Sequence, residues 1–198
     1  LEKGGILVGS SGRRFGNEDL GYSGFAAHVL GQGEFAWAIY DSRIHQIAEA
    51  EEEYAEMSEM GAVTWADTPA ELAGKVGLDA AGLANTIVAY NSAADGKCDD
   101  TFGRRAFALA PLQPPFAAVK VKPGLFHTQG GLLVDTEARV RRSAGGTVPN
   151  LFAGGGAAAG ISGRDGALGY ASGNGLITAL VLGRRAGLTA MAEIAAAP

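Results

Sequence analysis

Glycine constrains this chain more than any other residue: 31 of its 198 positions carry it, about twice the usual share of about 7%. Glycine is used where the backbone takes a positive φ or must lie closely against something. The chain therefore folds with many tight turns and close approaches. There is no G-X-Y period and there are only 7 prolines, which excludes collagen. Hydrophobic residues at 47% and charged residues at 19% give an ordinary globular balance and argue against dominant disorder.

Other classes fall away on simple grounds. The formal net charge is −5, a poor basis for binding phosphate backbones, so no nucleic-acid partner is expected. Cys98 is a single cysteine and can form neither an internal disulfide nor a cysteine-rich zinc site. His28, His45 and His127 lie far apart without metal-ligand spacing. No apolar run approaches a membrane span and no signal segment opens the chain, so the expectation is a soluble, cytoplasmic protein.

Along the chain, "GGILVGSSGRRFGNE" (Gly4 to Glu18) reads as strand, turn and short strand. "EFAWAIY" (Glu34 to Tyr40) reads as a strand, and the acidic stretch from Asp41 to Met60 reads as a solvated helix face. Thr68, Pro69 and Glu71 form an N-cap, first helical position and capping-box acid, with Gly77 closing the helix. Asp79 caps a second helix with Leu83, Ile87, Val88 and Tyr90 at helical spacing. A proline-rich loop follows to Pro115. Then come the strands "FAAVKVKPG" and "GGLLVDTEARVRR", a short buried strand "VPNLFAGGG", and a long helix from Gly173, expected to be central in its domain. The division falls near residue 114: a mixed α+β module over 1–114, and the end of an α/β domain over 115–198. The second part lacks the alternating units that would complete a sheet, so its missing strands belong to another chain or to a longer polypeptide.

Two glycine clusters suggest a ligand. Gly154, Gly155 and Gly156, with Ala159 and Gly160, fit G-x-G-x-x-A after an apolar strand. A dinucleotide fingerprint also needs a helix opening directly on the glycines and an acidic residue on the next strand. Neither is present, and a loop whose backbone lies against a flat ligand fits better than the fingerprint; a plain glycine-rich turn is the other reading. "YASGNG" (Tyr170 to Gly175) precedes the long helix, with Ser172 or Asn174 as its cap. The N–H groups of such a helix end suit an anion or an electron-rich carbonyl, and an ordinary capped helix start is the alternative. "FHTQGG" (Phe126 to Gly131) places His127 between strands, as a structural histidine more readily than a catalytic one.

Four stretches, "GGILVGSSGRRFGNE", "PPFAAVKVKPGLFHTQGGLLVDTEARV", "VPNLFAGGG" and "GNGLITALVLGRRAG", occur in an order that resembles the C-terminal part of the FAD-dependent fumarate reductase/3-ketosteroid dehydrogenase superfamily. The resemblance covers essentially the whole chain. It implies an α+β substrate-capping domain (1–114) followed by the C-terminal segment of an α/β Rossmann-like FAD-binding domain (115–198). The fold would be incomplete without an N-terminal half, supplied in cis or as another chain. That half carries the fingerprint in the family, so the isolated chain would be inactive. The resemblance also implies flavin contacts from Gly130, Gly131, Gly155, Gly156, Gly173, Asn174, Gly175 and Leu176. The family often has an acidic residue or asparagine where this sequence has Gly156.

The superfamily contains two chemistries. Fumarate reductases use an arginine acid at a place that falls on Tyr22, a second arginine at the place of Tyr170, and a histidine at the place of Phe126, one step from His127. Arg164 is near but out of register. The phenols resemble the ketosteroid dehydrogenase branch, with Tyr170 and Ser172 bounding the site and Tyr22 transferring the proton. The implied function is oxidation or reduction of a CH–CH bond beside the ketone of an apolar, steroid-like substrate. Phe25, Phe35, Trp37 and Phe126 are available as lining, and core packing explains each equally well. The alternatives are a fumarate- or tricarballylate-type reductase with an altered carboxylate clamp, and a flavin-free remnant without catalysis.

Overall fold

Strand β1 (Ile6–Val8) is buried at every residue because helices cover both faces of its sheet. Ile6 and Val8 face one apolar cluster and Leu7 faces another, as the two-residue period of a strand requires. The computed structural model describes residues 1–124, 130–162, 170 and 173–197, which form two units, Leu1–Pro123 and Gly124–Pro198.

The first unit holds a four-stranded antiparallel sheet in the order β1-β2-β4-β3, with β2 at Ala36–Asp41, β3 at Thr64–Ala66 and β4 at Phe116–Val121. Ile39 lies opposite Ile6 on one side and Ala118 on the other. The strand "FAAVKVKPG", expected to open the second segment, thus lies between β2 and β3 in the first unit's sheet. Helix α1 (Gly21–Leu30) covers one face through Phe25 and Val29. On the other face pack α4 (Pro69–Val76), through Leu72 and Ala73, and α5 (Ala80–Ala94), through Leu83, Ile87 and Tyr90.

The helix ends follow their expected caps. Thr68 Oγ1 accepts from Glu71 N–H at 3.2 Å, and Gly77 closes α4 in the left-handed region at φ +75. Glu71 reaches back to Asp67 N–H at 3.3 Å, one residue before the cap. Asp79 accepts from Gly82 N–H at the start of α5. Val88 departs from the expectation: it is exposed, because Leu83, Ile87 and Tyr90 already fill the buried stripe. The acidic stretch forms two short helices, α2 (Ser42–Ala48) and α3 (Glu52–Glu59).

Tyr90 is 1% exposed and its hydroxyl donates to Gly4 O at 3.0 Å. Burial pushes this phenol up to about 12, with Arg104 opposing and Glu18 assisting. A raised phenol pKa favours the folded state fully below about pH 10, and that contribution is lost as pH climbs toward about 12. The urea midpoint of the first unit is expected to fall between about pH 8 and about pH 11; an unchanged midpoint would contradict this.

The second unit contains β5 (Arg139–Arg141), paired antiparallel with β6 (Thr147–Phe152), and a long helix α6 (Asn174–Ala196). Two expectations fail here. The strand "VPNLFAGGG" is not buried, since among the described residues β6 has partner strand β5 on one edge only, with half of its residues exposed and none fully buried. Helix α6 is not central among the described residues: Leu176, Leu180 and Ile194 are 81%, 77% and 75% exposed, and Thr189 is its one buried residue. Of the described residues, no helix is long and apolar enough to cross a membrane.

Candidate functional site

The glycines of the second unit divide by what surrounds them. A Cβ on Gly131 would meet Ala158 C and O at 2.5 Å, because Leu132 bridges to Ala158. A Cβ on Gly154 would meet Leu182 Cβ at 3.1 Å and Gly183 N at 3.2 Å, so this glycine lets α6 approach. Gly155, at φ +56, points at Ala179 Cβ at 3.2 Å. Packing explains these three. Gly156, Gly173 and Gly175 differ: among the described residues a Cβ on any of them would have no atom within 4 Å. Gly155–Ala157 forms a 3₁₀ turn packed against α6.

The start of α6 is capped differently from expectation. Gly173, in the left-handed region at φ +93, takes the N-cap place, and a glycine offers no side-chain acceptor to the first turn. Asn174 instead donates from Nδ2 to Ser162 Oγ at 3.0 Å, with Ser162 buried, so the helix start is tied to the 155–162 segment. Leu176 is exposed there. A glycine-capped end on a 23-residue helix, with open space over Gly156, Gly173 and Gly175, fits an electron-rich ring edge lying against backbone. These residues could hold a flavin, as the resemblance implies.

The same division gives a test. Gly131→Ala is expected to destabilise the second unit by about 1–3 kcal/mol through overpacking. Gly156→Ala is expected to leave stability within about 0.5 kcal/mol and to weaken flavin binding. Thermal unfolding and FAD titration read the two effects, and the reverse pattern would sink the division.

The substrate candidates lie in separate units. Tyr22 is 63% exposed in the first turn of α1, in the first unit. Tyr170 is half-buried in the second. Ser172, Phe126, His127 and Arg164 lie outside the described residues, as does the cap role expected of Ser172. Phe25, at 1% exposure, is core beneath Phe15 and His28, and Trp37 is core in the sheet. Phe35 lies under Lys120, whose Nζ is 4.3 Å from the ring centroid.

The "RRFGNE" stretch does something composition could not reveal. Glu18 is buried and accepts from Leu7 N–H at 3.2 Å and from Arg14 Nε at 3.0 Å. Arg14 also pairs with Asp100, and Arg104 Nη1 lies 3.4 Å from Glu18 Oε2. Arg104 donates further to Gly5 O at 2.8 Å, Leu1 O at 2.9 Å and Ala106 O at 2.9 Å. Tyr90 supports both guanidiniums, with Arg14 at 5.0 Å and Arg104 at 5.3 Å from its ring centroid. Burial opposes ionisation of Asp100, but Arg14 and the N–H groups of Arg104 and Phe102 outweigh it and hold the carboxyl below the usual range. The knot joins the first strand to a loop more than eighty residues away.

A glycine-capped helix end beside a turn of small residues leaves backbone open to a flat ligand. A family model described as an FAD binding domain matches residues 1–171. The chain belongs to that family, and FAD is the cofactor the family indicates. It is 35% identical to "Probable fumarate reductase Ifc3" of Shewanella frigidimarina over 93% of this chain and 30% of that protein. It is 28% identical to a 3-oxosteroid 1-dehydrogenase of Mycobacterium tuberculosis over 93% of this chain and 39% of that one. Among solved structures it resembles the 3-ketosteroid delta1-dehydrogenase of Sterolibacterium denitrificans in complex with 1,4-androstadiene-3,17-dione. There the TM-score is 0.73 and the identity 27%, over 96% of this chain and 39% of that one. The chain thus spans between 30% and 39% of these relatives.

Proposed function

We propose that residues 1–114 are the substrate-capping part, and 115–198 the closing segment of the FAD domain, of an oxidoreductase acting on a CH–CH bond beside a ketone in an apolar, steroid-like substrate. The observation that carries this reading is the phenol at both Tyr22 and Tyr170, where a dicarboxylate enzyme needs cations. A phenol polarises a ketone without placing a full charge in an apolar pocket. Several guanidiniums are also engaged with the chain's own carboxylates: Arg14, Arg43, Arg104, Arg139 and Arg185 pair with Glu18, Asp41, Glu18, Glu193 and Glu137 respectively.

Tyr170, with Ser172, hydrogen-bonds the ketone oxygen, and Tyr22 exchanges the proton on the adjacent carbon. When bound, FAD supplies the hydride acceptor or donor for the other carbon. Gly156, Gly173 and Gly175 would keep side chains out of its way, and the first turn of α6 would offer N–H groups to it. The exposed apolar side of α6 suits burial against the N-terminal part of the FAD domain, in cis or as a second chain.

The test joins this chain with such an N-terminal half and assays a ketosteroid and fumarate separately, with a redox dye. Turnover of the ketosteroid is the expected result. Turnover of fumarate alone overturns the reading in favour of a reductase with an altered clamp, which the fumarate reductase relative supports. A colourless preparation that takes up no added FAD points instead to a remnant without catalysis.

A further inference from the structure

Beneath α2 and α3 a row of four polar side chains runs from solvent into the core. Glu49 Oε1 lies 3.0 Å from His45 Nε2, and its side chain is about half exposed. His45 Nδ1 lies 2.8 Å from Tyr54 Oη. Tyr54 Oη lies 2.5 Å from Tyr40 Oη, on a residue only 7% exposed. We propose that Glu49, His45, Tyr54 and Tyr40 form a hydrogen-bond chain whose two inner bonds, His45–Tyr54 and Tyr54–Tyr40, reverse direction when His45 becomes protonated while His45 keeps donating to Glu49, so that pH at the surface sets the hydroxyl orientation of a phenol in the core.

The direction follows from donors and acceptors. An ionised Glu49 only accepts, so a neutral His45 donates to it from Nε2–H and leaves Nδ1 as an acceptor. Tyr54 then donates to Nδ1, and its oxygen accepts from Tyr40. Every bond points outward. A proton added at Nδ1 makes that nitrogen a donor. Tyr54 must then accept from the imidazolium and turn its own hydrogen toward Tyr40 Oη. Tyr40 in turn must send its hydrogen elsewhere.

Ionisation of a phenol offers no escape, since burial pushes both Tyr40 and Tyr54 above the ordinary phenol range. The groups around the imidazole come from several neighbouring elements. Glu49 is the C-cap residue of α2, with Tyr54 on α3 and Tyr40 on β2. From β3 the Trp65 ring meets it edge-on at 4.9 Å. The Trp65 carbonyl accepts from Lys75 of α4 at 2.7 Å, and Lys75 pairs with Glu71 at 2.8 Å. Among the described residues Glu49 is thus the carboxylate on the imidazole and Tyr54 its other polar partner, with Tyr40 behind Tyr54. None of the four residues has a part in the chemistry proposed above.

Protein labelled with ¹³C at tyrosine Cζ and ¹⁵N in histidine tests this by NMR titration. Neutral His45 is expected as the Nε2–H tautomer, with Tyr54 and Tyr40 signals shifting at the same midpoint as His45. In Tyr54→Phe, Tyr40 should stop responding while His45 still titrates. In His45→Gln both tyrosine signals should be flat across that range. A neutral Nδ1–H tautomer, a Tyr40 signal indifferent to His45 in the unsubstituted protein, or a Tyr40 response that survives Tyr54→Phe would overturn the proposal. Should Tyr54→Phe not fold, the unsubstituted protein and His45→Gln still decide it.

Discussion

Replacing Glu18 by alanine is expected to lower the unfolding free energy of the first unit by about 3–5 kcal/mol, because it breaks a buried ion pair from one side. The Glu18 side chain has no exposed surface, and those of Arg14 and Arg104 are 6% and 1% exposed. Without the carboxylate, two guanidiniums share what remains. Arg14 keeps Asp100, and Arg104 keeps Asp19 and three backbone carbonyls. Leu7 N–H loses its acceptor in the middle of β1, which alone costs about 1–3 kcal/mol. Glu18→Gln keeps the shape and one acceptor oxygen, so a smaller loss is expected. Urea unfolding followed by ellipticity measures both. A change below about 1 kcal/mol for Glu18→Ala would show that Arg104 is satisfied by the carbonyls alone.

Tyr170→Phe, in the assembled flavoprotein, is expected to reduce kcat on a ketosteroid by about 10²–10³-fold, the range typical of removing one donor to a developing oxyanion. KM should change little, because the hydrogen bond to the ketone oxygen strengthens as negative charge develops there and not on binding. The flavin absorbance spectrum checks that the variant still holds FAD. Tyr22→Phe should act similarly on kcat. A loss under about tenfold for Tyr170→Phe would remove that tyrosine from the chemistry.

What was legible in the sequence was local. The caps at Thr68, Gly77 and Asp79 depend on neighbours within four residues, and the structure has all three. The partners of Arg14 and Arg104 were not legible, because Asp100 and Gly5 are brought in from the far end of the unit. The same holds for β4, which sits between β2 and β3 only because the chain returns after five helices. Asn174 looked like a cap; nothing local indicated that Ser162 would draw its amide away. The exposure of α6 departs from the sequence expectation for a different reason. Its apolar pattern is real, but among the described residues the surface that would cover it is not present.

That uncovered pattern has a practical side. Leucine, valine, isoleucine and methionine side chains stand in water along α6, among them Val181, Leu188 and Met191. Surfaces of this kind attract one another. Preparations of the chain by itself will be colloidally fragile, tending toward mixed aggregates at high concentration, and a companion polypeptide that seals the helix should act as a solubiliser well before any colour or turnover is sought.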